Sequence, residues 1–214
     1  MNQRTCKAAL LVAACSLLAA CALLGKAEPR TPHYFTPESD STVPQATAPQ
    51  RVQPETRRLR LGSVSGGSQL RERIVFRDSA HELAYYEDRR WTERPEAYLR
   101  RALARALFEE RGLVRVVLGS APTLDAELVA FEEIRTPERR AHVQVIVTLD
   151  DDRGGSVQAT LNIERPIRVA VANDDAAAVV EALSGALEQC VTQIAERVVN
   201  NLAFSAPPVP AQGT

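Results

Sequence analysis

HVQVIVTLDDDRGGSVQATLNIE, residues 142–164, is the stretch that decides the fold. Val143, Val145, Val147 and Leu149 alternate with His142, Gln144, Ile146 and Thr148. After Asp150-Asp151-Asp152-Arg153-Gly154-Gly155 the pattern resumes, with Val157, Ala159, Leu161 and Ile163 alternating with Gln158, Thr160, Asn162 and Glu164. Successive strand side chains point to opposite faces, so a period of two gives one apolar and one polar face. Two such runs about a glycine-containing turn predict an antiparallel hairpin with one face on a core and one in water.

The flanking segments extend this sheet. Leu124, Ala126 and Leu128 share a face, but Val129 and Phe131 fall out of phase with them. A bulge, or a strand buried on both faces, would account for that. Leu113 to Leu118 reads as a short strand, and Leu59 and Leu61 about Arg60 as another, with turns at Gly62, Gly66 and Gly67. Arg73–Arg77 and Leu83–Tyr86 are two more, and Tyr34-Phe35 is a candidate opening strand. The period changes to helical from Pro95, where Leu99, Ala102, Leu103, Ala106 and Leu107 line one face and Gly112 is placed to cap the end. A second, longer stripe runs through Val179, Val180, Leu183, Leu187, Cys190, Val191, Ile194, Val198 and Leu202, with Asn173 or Asp174 as its cap. The expected fold is α+β: a small, mostly antiparallel sheet packed against two amphipathic helices.

The ends of the chain have a different composition. Arg4 and Lys7 precede an apolar run from Ala8 to Ala20, about 13 residues, too short for a stable membrane span of ~20 and the right length for a secretory signal. Leu18-Ala19-Ala20-Cys21 resembles the bacterial lipobox, in which the cysteine is acylated and cleavage precedes it. Val12-Ala13-Ala14-Cys15 fits more loosely and leaves a shorter apolar core. Several acyl chains give stable anchoring where one is marginal. Ala22 rather than Asp after the cysteine resembles the signal for the outer membrane. Residues 26–56 carry six prolines among Ser, Thr, Gln and Glu, a composition that cannot bury enough apolar surface to fold alone. The expected organisation is a lipoprotein signal peptide at 1–20, a lipidated Pro-rich tether at 21–56, a globular domain at 57–204 and a tail at 205–214. Removing the signal takes away Arg4 and Lys7 and no acid, which moves the formal charge from −1 to −3. With no basic excess, nucleic acid is not an expected partner. With Cys6 and Cys15 removed and Cys21 acylated, Cys190 has no disulfide partner.

No arrangement in the sequence supplies a nucleophile, a base and an oxyanion site together. His33, His81 and His142 lack neighbours at metal-ligand spacing. Asp150-Asp151-Asp152 lacks the alternation and terminal Glu of a calcium loop and reads as a polar turn. Gly62–Gly67 lacks the Lys-Ser/Thr of a phosphate loop. Glu132 and Glu133 are adjacent on a strand and so point to opposite faces. Cys190 lies in an apolar helical stripe, as a buried small hydrophobe would. No metal, cofactor or catalytic residue is expected. The unusual stretch is His81 to Pro95, which mixes Tyr85, Tyr86 and the single Trp, Trp91, with Arg90, Glu93 and further charges. Aromatic and Arg clusters are enriched in interface hot spots, which makes Tyr85, Tyr86, Arg90, Trp91 and Glu93 candidate partner-binding residues, Trp91 serving equally well as core beneath the following helix.

Leu70-Arg71-Glu72-Arg73-Ile74-Val75-Phe76-Arg77, Glu82-Leu83 and Arg90-Trp91-x-Glu93-x-Pro95 resemble the auxiliary lipoprotein component of ABC-type transporters, the family that includes the paraquat-inducible lipoprotein. The likeness covers residues 57 to 203, and the Pro-rich insert after Phe35 departs from it. The resemblance implies a non-enzymatic docking subunit, anchored in the outer membrane and facing the periplasm. Its implied partner is an MCE-domain protein of a system that moves lipids or other hydrophobic compounds, driven by an inner-membrane ATPase. A homo-oligomer is left open. The rival readings are a structural lipoprotein of envelope assembly or lipopolysaccharide export, and a small periplasmic hydrolase.

Overall fold

A computed structural model describes residues 31–37, 57–151, 154–168 and 175–204. The signal sequence, Cys21, most of the tether, the tail from 205, and the cap candidates Asn173 and Asp174 lie outside them. The described strands and helices all belong to one unit that begins at Pro32. Eight strands form one sheet: β1 (His33–Phe35), β2 (Arg58–Gly66), β3 (Arg73–Ser79), β4 (Glu82–Trp91), β5 (Val114–Arg115), β6 (Thr123–Ile134), β7 (Arg140–Asp150) and β8 (Ser156–Pro166). Helix α1 (Pro95–Ala104) follows β4, and α2 (Asp175–Phe204) closes the described chain. The α+β class stands. The longest ladders, β6–β7 and β7–β8, are antiparallel, but β6 receives both β2 and β3 in parallel, so the sheet is mixed.

The branching of the sheet matters most for function. On one edge of β6 lie β7 and β8. On the other, the first half of β6 pairs with β2 and the last three residues pair with β3. The sheet therefore forks: β2 continues to β5 in one branch, and β3 continues to β4 and β1 in the other. The register of β6 against β7 shifts between Leu128 and Ala130, near the fork. That bulge is the phase break seen in the sequence. Before it Leu124, Ala126 and Leu128 are buried; after it Phe131 and Glu133 take over the same phase.

The hairpin of β7 and β8 forms as its alternation predicts. Ala141, Val143, Val145, Val147, Leu161 and Ile163 are buried, while their neighbours remain partly or fully exposed. Its turn is closed by Asp151, whose N–H donates to Gly155 O at 2.8 Å and whose Oδ1 accepts from Gly155 N–H at 2.6 Å. The acidic run is thus a turn device. Helix α2 lies on this face across β7, β8 and the start of β6. Val179, Leu183, Leu187, Cys190, Val191, Ile194, Val198 and Leu202 are buried as the stripe requires, and Val180 is half-buried. Burying each large side chain stabilises by about 1.5–3 kcal/mol. Helix α1 has Pro95 in its first turn, buries Tyr98, Leu99 and Leu103, and packs on β2, β6 and α2. It continues as a π-helical turn, Arg105–Glu110, and Gly112 follows at φ +66°.

Three local expectations change. Gly62 and Gly66 are strand residues rather than turn residues: β2 passes through Gly62 and ends at Gly66. A side chain at Gly62 would collide with Asp125, whose Oδ1 accepts Ser63 N–H at 2.5 Å, so this glycine permits a close approach at a register shift in β2. The strand expected from Leu113 to Leu118 shrinks to Val114–Arg115, with Val117 and Leu118 in solvent. The strand expected at Leu83–Tyr86 extends to Trp91. The Tyr34-Phe35 segment does add a strand, parallel to the end of β4.

Candidate functional site: an aromatic and arginine layer around β4

β4 carries every partner-binding candidate except Glu93. Its pairing with β3 is irregular: Arg73 opposes Arg90 and Val75 opposes Tyr85, so Ile74 alone faces Tyr86 through Arg89. This wide bulge bends β4 and turns consecutive side chains in directions that simple alternation would not give.

Trp91 lies in the core, 1% exposed, with its ring 5.1 Å from Phe131 and 6.3 Å from Tyr98. Its Nε1 has no hydrogen-bond partner among the described residues. Tyr86 is also buried. Its ring meets Phe76 edge-on at 5.0 Å, Arg89 stacks over it at 4.1 Å, and its hydroxyl donates to Glu133. Tyr85 is half-buried: Arg73 sits over its ring at 5.3 Å and its hydroxyl donates to Gln69 O at 3.3 Å. Glu93 is exposed and pairs with Arg101 at 2.6 Å. Its N–H donates to Tyr98 Oη at 2.8 Å, which fixes the entry to α1. Arg90 is half-exposed and finds no carboxylate partner among the described residues. It stands in register with Tyr34 of β1, 62% exposed, and with Arg73 of β3. Tyr34 and Arg90 thus present an aromatic ring and a guanidinium with no carboxylate partner among the described residues on one face, next to the Arg73–Tyr85 pair.

Beneath this layer lies a charged network that the sequence reading had set aside. Glu133 is fully buried on the helix-covered face. It accepts from Tyr86, from Arg139 Nε at 2.6 Å, and faces Arg135 Nε at 3.6 Å. Arg139 also reaches Asp175 in the first turn of α2, and Arg89 reaches the same carboxylate at 3.4 Å. Arg135 stacks over Phe76 at 3.5 Å. Hydrogen bonding to Arg139 holds the Asp175 carboxyl below its ordinary range. Burial, with Glu133 alongside, pushes the Tyr86 hydroxyl up and keeps it a donor. The network ties α2, β4, β6 and the loop before β7 together at one end of the sheet.

Glu132, on the opposite face, has a separate set of partners: Arg77 Nε at 2.9 Å and His142 Nδ1 at 3.4 Å, with His142 Nε2 in turn 2.7 Å from Asn162. Burial raises its carboxyl, but hydrogen bonds from His142 and Arg77 outweigh that and leave it below its ordinary range. The two glutamates do not converge. No group of three or more His, Cys, Asp or Glu among the described residues could hold a metal ion. Burial pushes the Cys190 thiol up to about 12, so it packs as an apolar group. Among the described residues no helix is long and apolar enough to cross a membrane.

The described residues define an α+β domain in which a mixed eight-stranded sheet packs against two helices. The chain belongs to the family of ABC-type transport auxiliary lipoprotein components, whose sequence profile matches residues 41–195. The chain resembles a Xanthomonas campestris crystal structure classed in the family DUF330, at 20% identity and a TM-score of 0.63, covering 81% of this chain and 99% of that one. It also resembles an uncharacterised protein of known structure at 16% identity and a TM-score of 0.59, covering 78% and 99% of the two chains. These likenesses concern the fold. No curated protein matches the sequence.

Proposed function

We propose that this transport auxiliary lipoprotein is a non-catalytic docking subunit. Acyl chains on Cys21 hold it in the outer membrane facing the periplasm, and its domain binds an MCE-domain protein of a transporter for lipids or other hydrophobic compounds. The observation that carries the reading is the division of labour around β4. The buried Glu132 and Glu133 are already engaged by Arg77, His142, Tyr86 and Arg139, while Tyr34 and Arg90 face solvent without carboxylate partners among the described residues. A general acid or base needs a titratable group within reach of substrate; a docking face needs exposed aromatic and guanidinium groups on a rigid base. Tyr85 and Glu93 complete that face at its margins, and Tyr86 and Trp91 support it from below.

Two experiments test this. A photo-crosslinking residue at Tyr34 or Arg90 in cells is expected to capture the MCE-domain partner, and Arg90→Glu to weaken capture without lowering the melting temperature. Adducts that never contain an MCE-domain protein would refute the partner. For the anchor, Cys21→Ser is expected to abolish palmitate labelling and leave the precursor uncleaved; persistent labelling would move the site to Cys15.

A further inference from the structure

The loop that follows β5 breaks the ordinary rule for apolar side chains. Val117 is 75% exposed and Leu118 86%, at a tip joined to the domain by Arg60, which donates to Gly119 O, and by Val116 N–H to Leu59 O at 2.9 Å. The segments that carry the tip are rich in arginine, although Arg111 is paired with Glu196 at 3.5 Å and Asp125 follows on β6. From Arg57 to Leu61 and from Arg111 to Leu124 there are five arginines and no acid. Arg58 and Arg115 are exposed, lie in the paired strands β2 and β5, and have no carboxylate partner among the described residues. An apolar tip rimmed by cations matches a lipid headgroup boundary: hydrocarbon accepts the tip, and phosphates accept the guanidiniums.

The fork in the sheet places this tip with respect to the chain's own start. β5 ends one branch and β1 ends the other, and both branches leave the same edge of β6, away from β7 and β8. The chain enters β1 at His33, twelve residues after Cys21. Both strands therefore lie on the side of β6 away from β7, although Asp150 stands in register with Thr123 at the same strand end as the tip.

We propose that the Val117–Leu118 tip inserts into the anionic phospholipid surface, with Arg58 and Arg115 on headgroup phosphates, as a second membrane contact beside the acyl anchor. The tip contact would hold that corner of the domain at the bilayer surface, and it does not depend on acylation of Cys21.

The test uses the full acylated protein reconstituted into vesicles of phosphatidylethanolamine with a quarter phosphatidylglycerol. Cys190 is buried, so Leu118→Cys can carry an environment-sensitive fluorophore, with Gln158→Cys on β8 as the control. The Leu118 probe is expected to shift to the blue and to be quenched by nitroxide lipids, while the Gln158 probe is quenched by aqueous iodide. Arg58→Glu should weaken nitroxide quenching at Leu118 by about fivefold or more, as expected from losing one cation near an anionic surface. A Leu118 probe that stays iodide-accessible on these vesicles overturns the proposal. If the same probe is shielded in intact cells, a protein socket covers the tip instead, which also overturns it. Palmitate labelling of the same preparation separates loss of the anchor from loss of the tip contact.

Discussion

At one end of this sheet the fold buries charge, and at the other it exposes apolar side chains. Near Asp175, Glu133 is sealed among Tyr86, Arg139 and Arg135. Near Val199, which accepts from Arg57 at 3.2 Å, the neighbouring loop leaves Val117 and Leu118 in water. Helix α2 joins the two ends, and at 1.5 Å per residue they lie roughly 36 Å apart. Both ends violate the usual partition of residues, but in opposite senses. The buried charges are answered within the chain, so they report on how the domain holds its shape. The exposed apolar groups have no answer among the described residues, so they report on something outside it.

The sharpest way to break this contrast is at Glu133. Glu133→Ala removes the buried acceptor of Tyr86, Arg139 and Arg135; Arg139 keeps Asp175 and Arg135 keeps Asp78, so the cost is that of hydrogen bonds to a charged group, about 1.5–3 kcal/mol for each one lost. Urea denaturation should show that loss as a lower midpoint with an unchanged slope. A midpoint within error of the wild type would mean that the network does not hold the end of α2. Tyr86→Phe tests the same cluster more gently. It removes one donor to a charged acceptor and keeps the ring under Arg89, so about 1.5–3 kcal/mol is expected. The ring contacts should remain visible in near-ultraviolet circular dichroism.

Acid should loosen the charged end as well. Asp175 and Glu132 both ionise more readily in the folded protein than in the unfolded chain. Their contribution is therefore complete above their unfolded values near pH 4 and is lost as pH falls through the lower folded ones. Stability measured between about pH 5 and pH 3 should fall, and Glu132→Gln should flatten that slope. A slope unchanged by the substitution would assign the acid sensitivity elsewhere.

What the sequence made legible follows the strength of the local signal. β7 and β8 and the stripe of α2 are long, regular patterns with one dry face, and period alone places them. β4 was legible only in its first half, because its bulge and its charges at Glu87, Asp88, Arg89 and Arg90 hide the alternation. The Glu133 network joins Tyr86 to Glu133 across 47 positions, Arg139 to Asp175 across 36 and Arg89 to Asp175 across 86, so no window contains it. Adjacent-strand logic correctly separated Glu132 from Glu133, yet which of them faces the helices depends on the bulge before Ala130. Leu113–Leu118 misled because an apolar run short enough for a strand can also be a tip, and hydropathy does not distinguish them.

The smallest stability effect is expected at that tip, and its smallness carries the argument. Leu118 buries almost nothing, so Leu118→Ser should change the unfolding free energy by no more than about 0.5 kcal/mol. A residue that stabilised the domain by hidden packing would cost several times that when made polar. If the substitution is neutral in urea yet lowers transport-linked phenotypes in cells, the tip acts through what it touches rather than through the fold. If it destabilises as much as Tyr86→Phe does, the loop packs more tightly than its exposure indicates, and the contrast between the two ends fails.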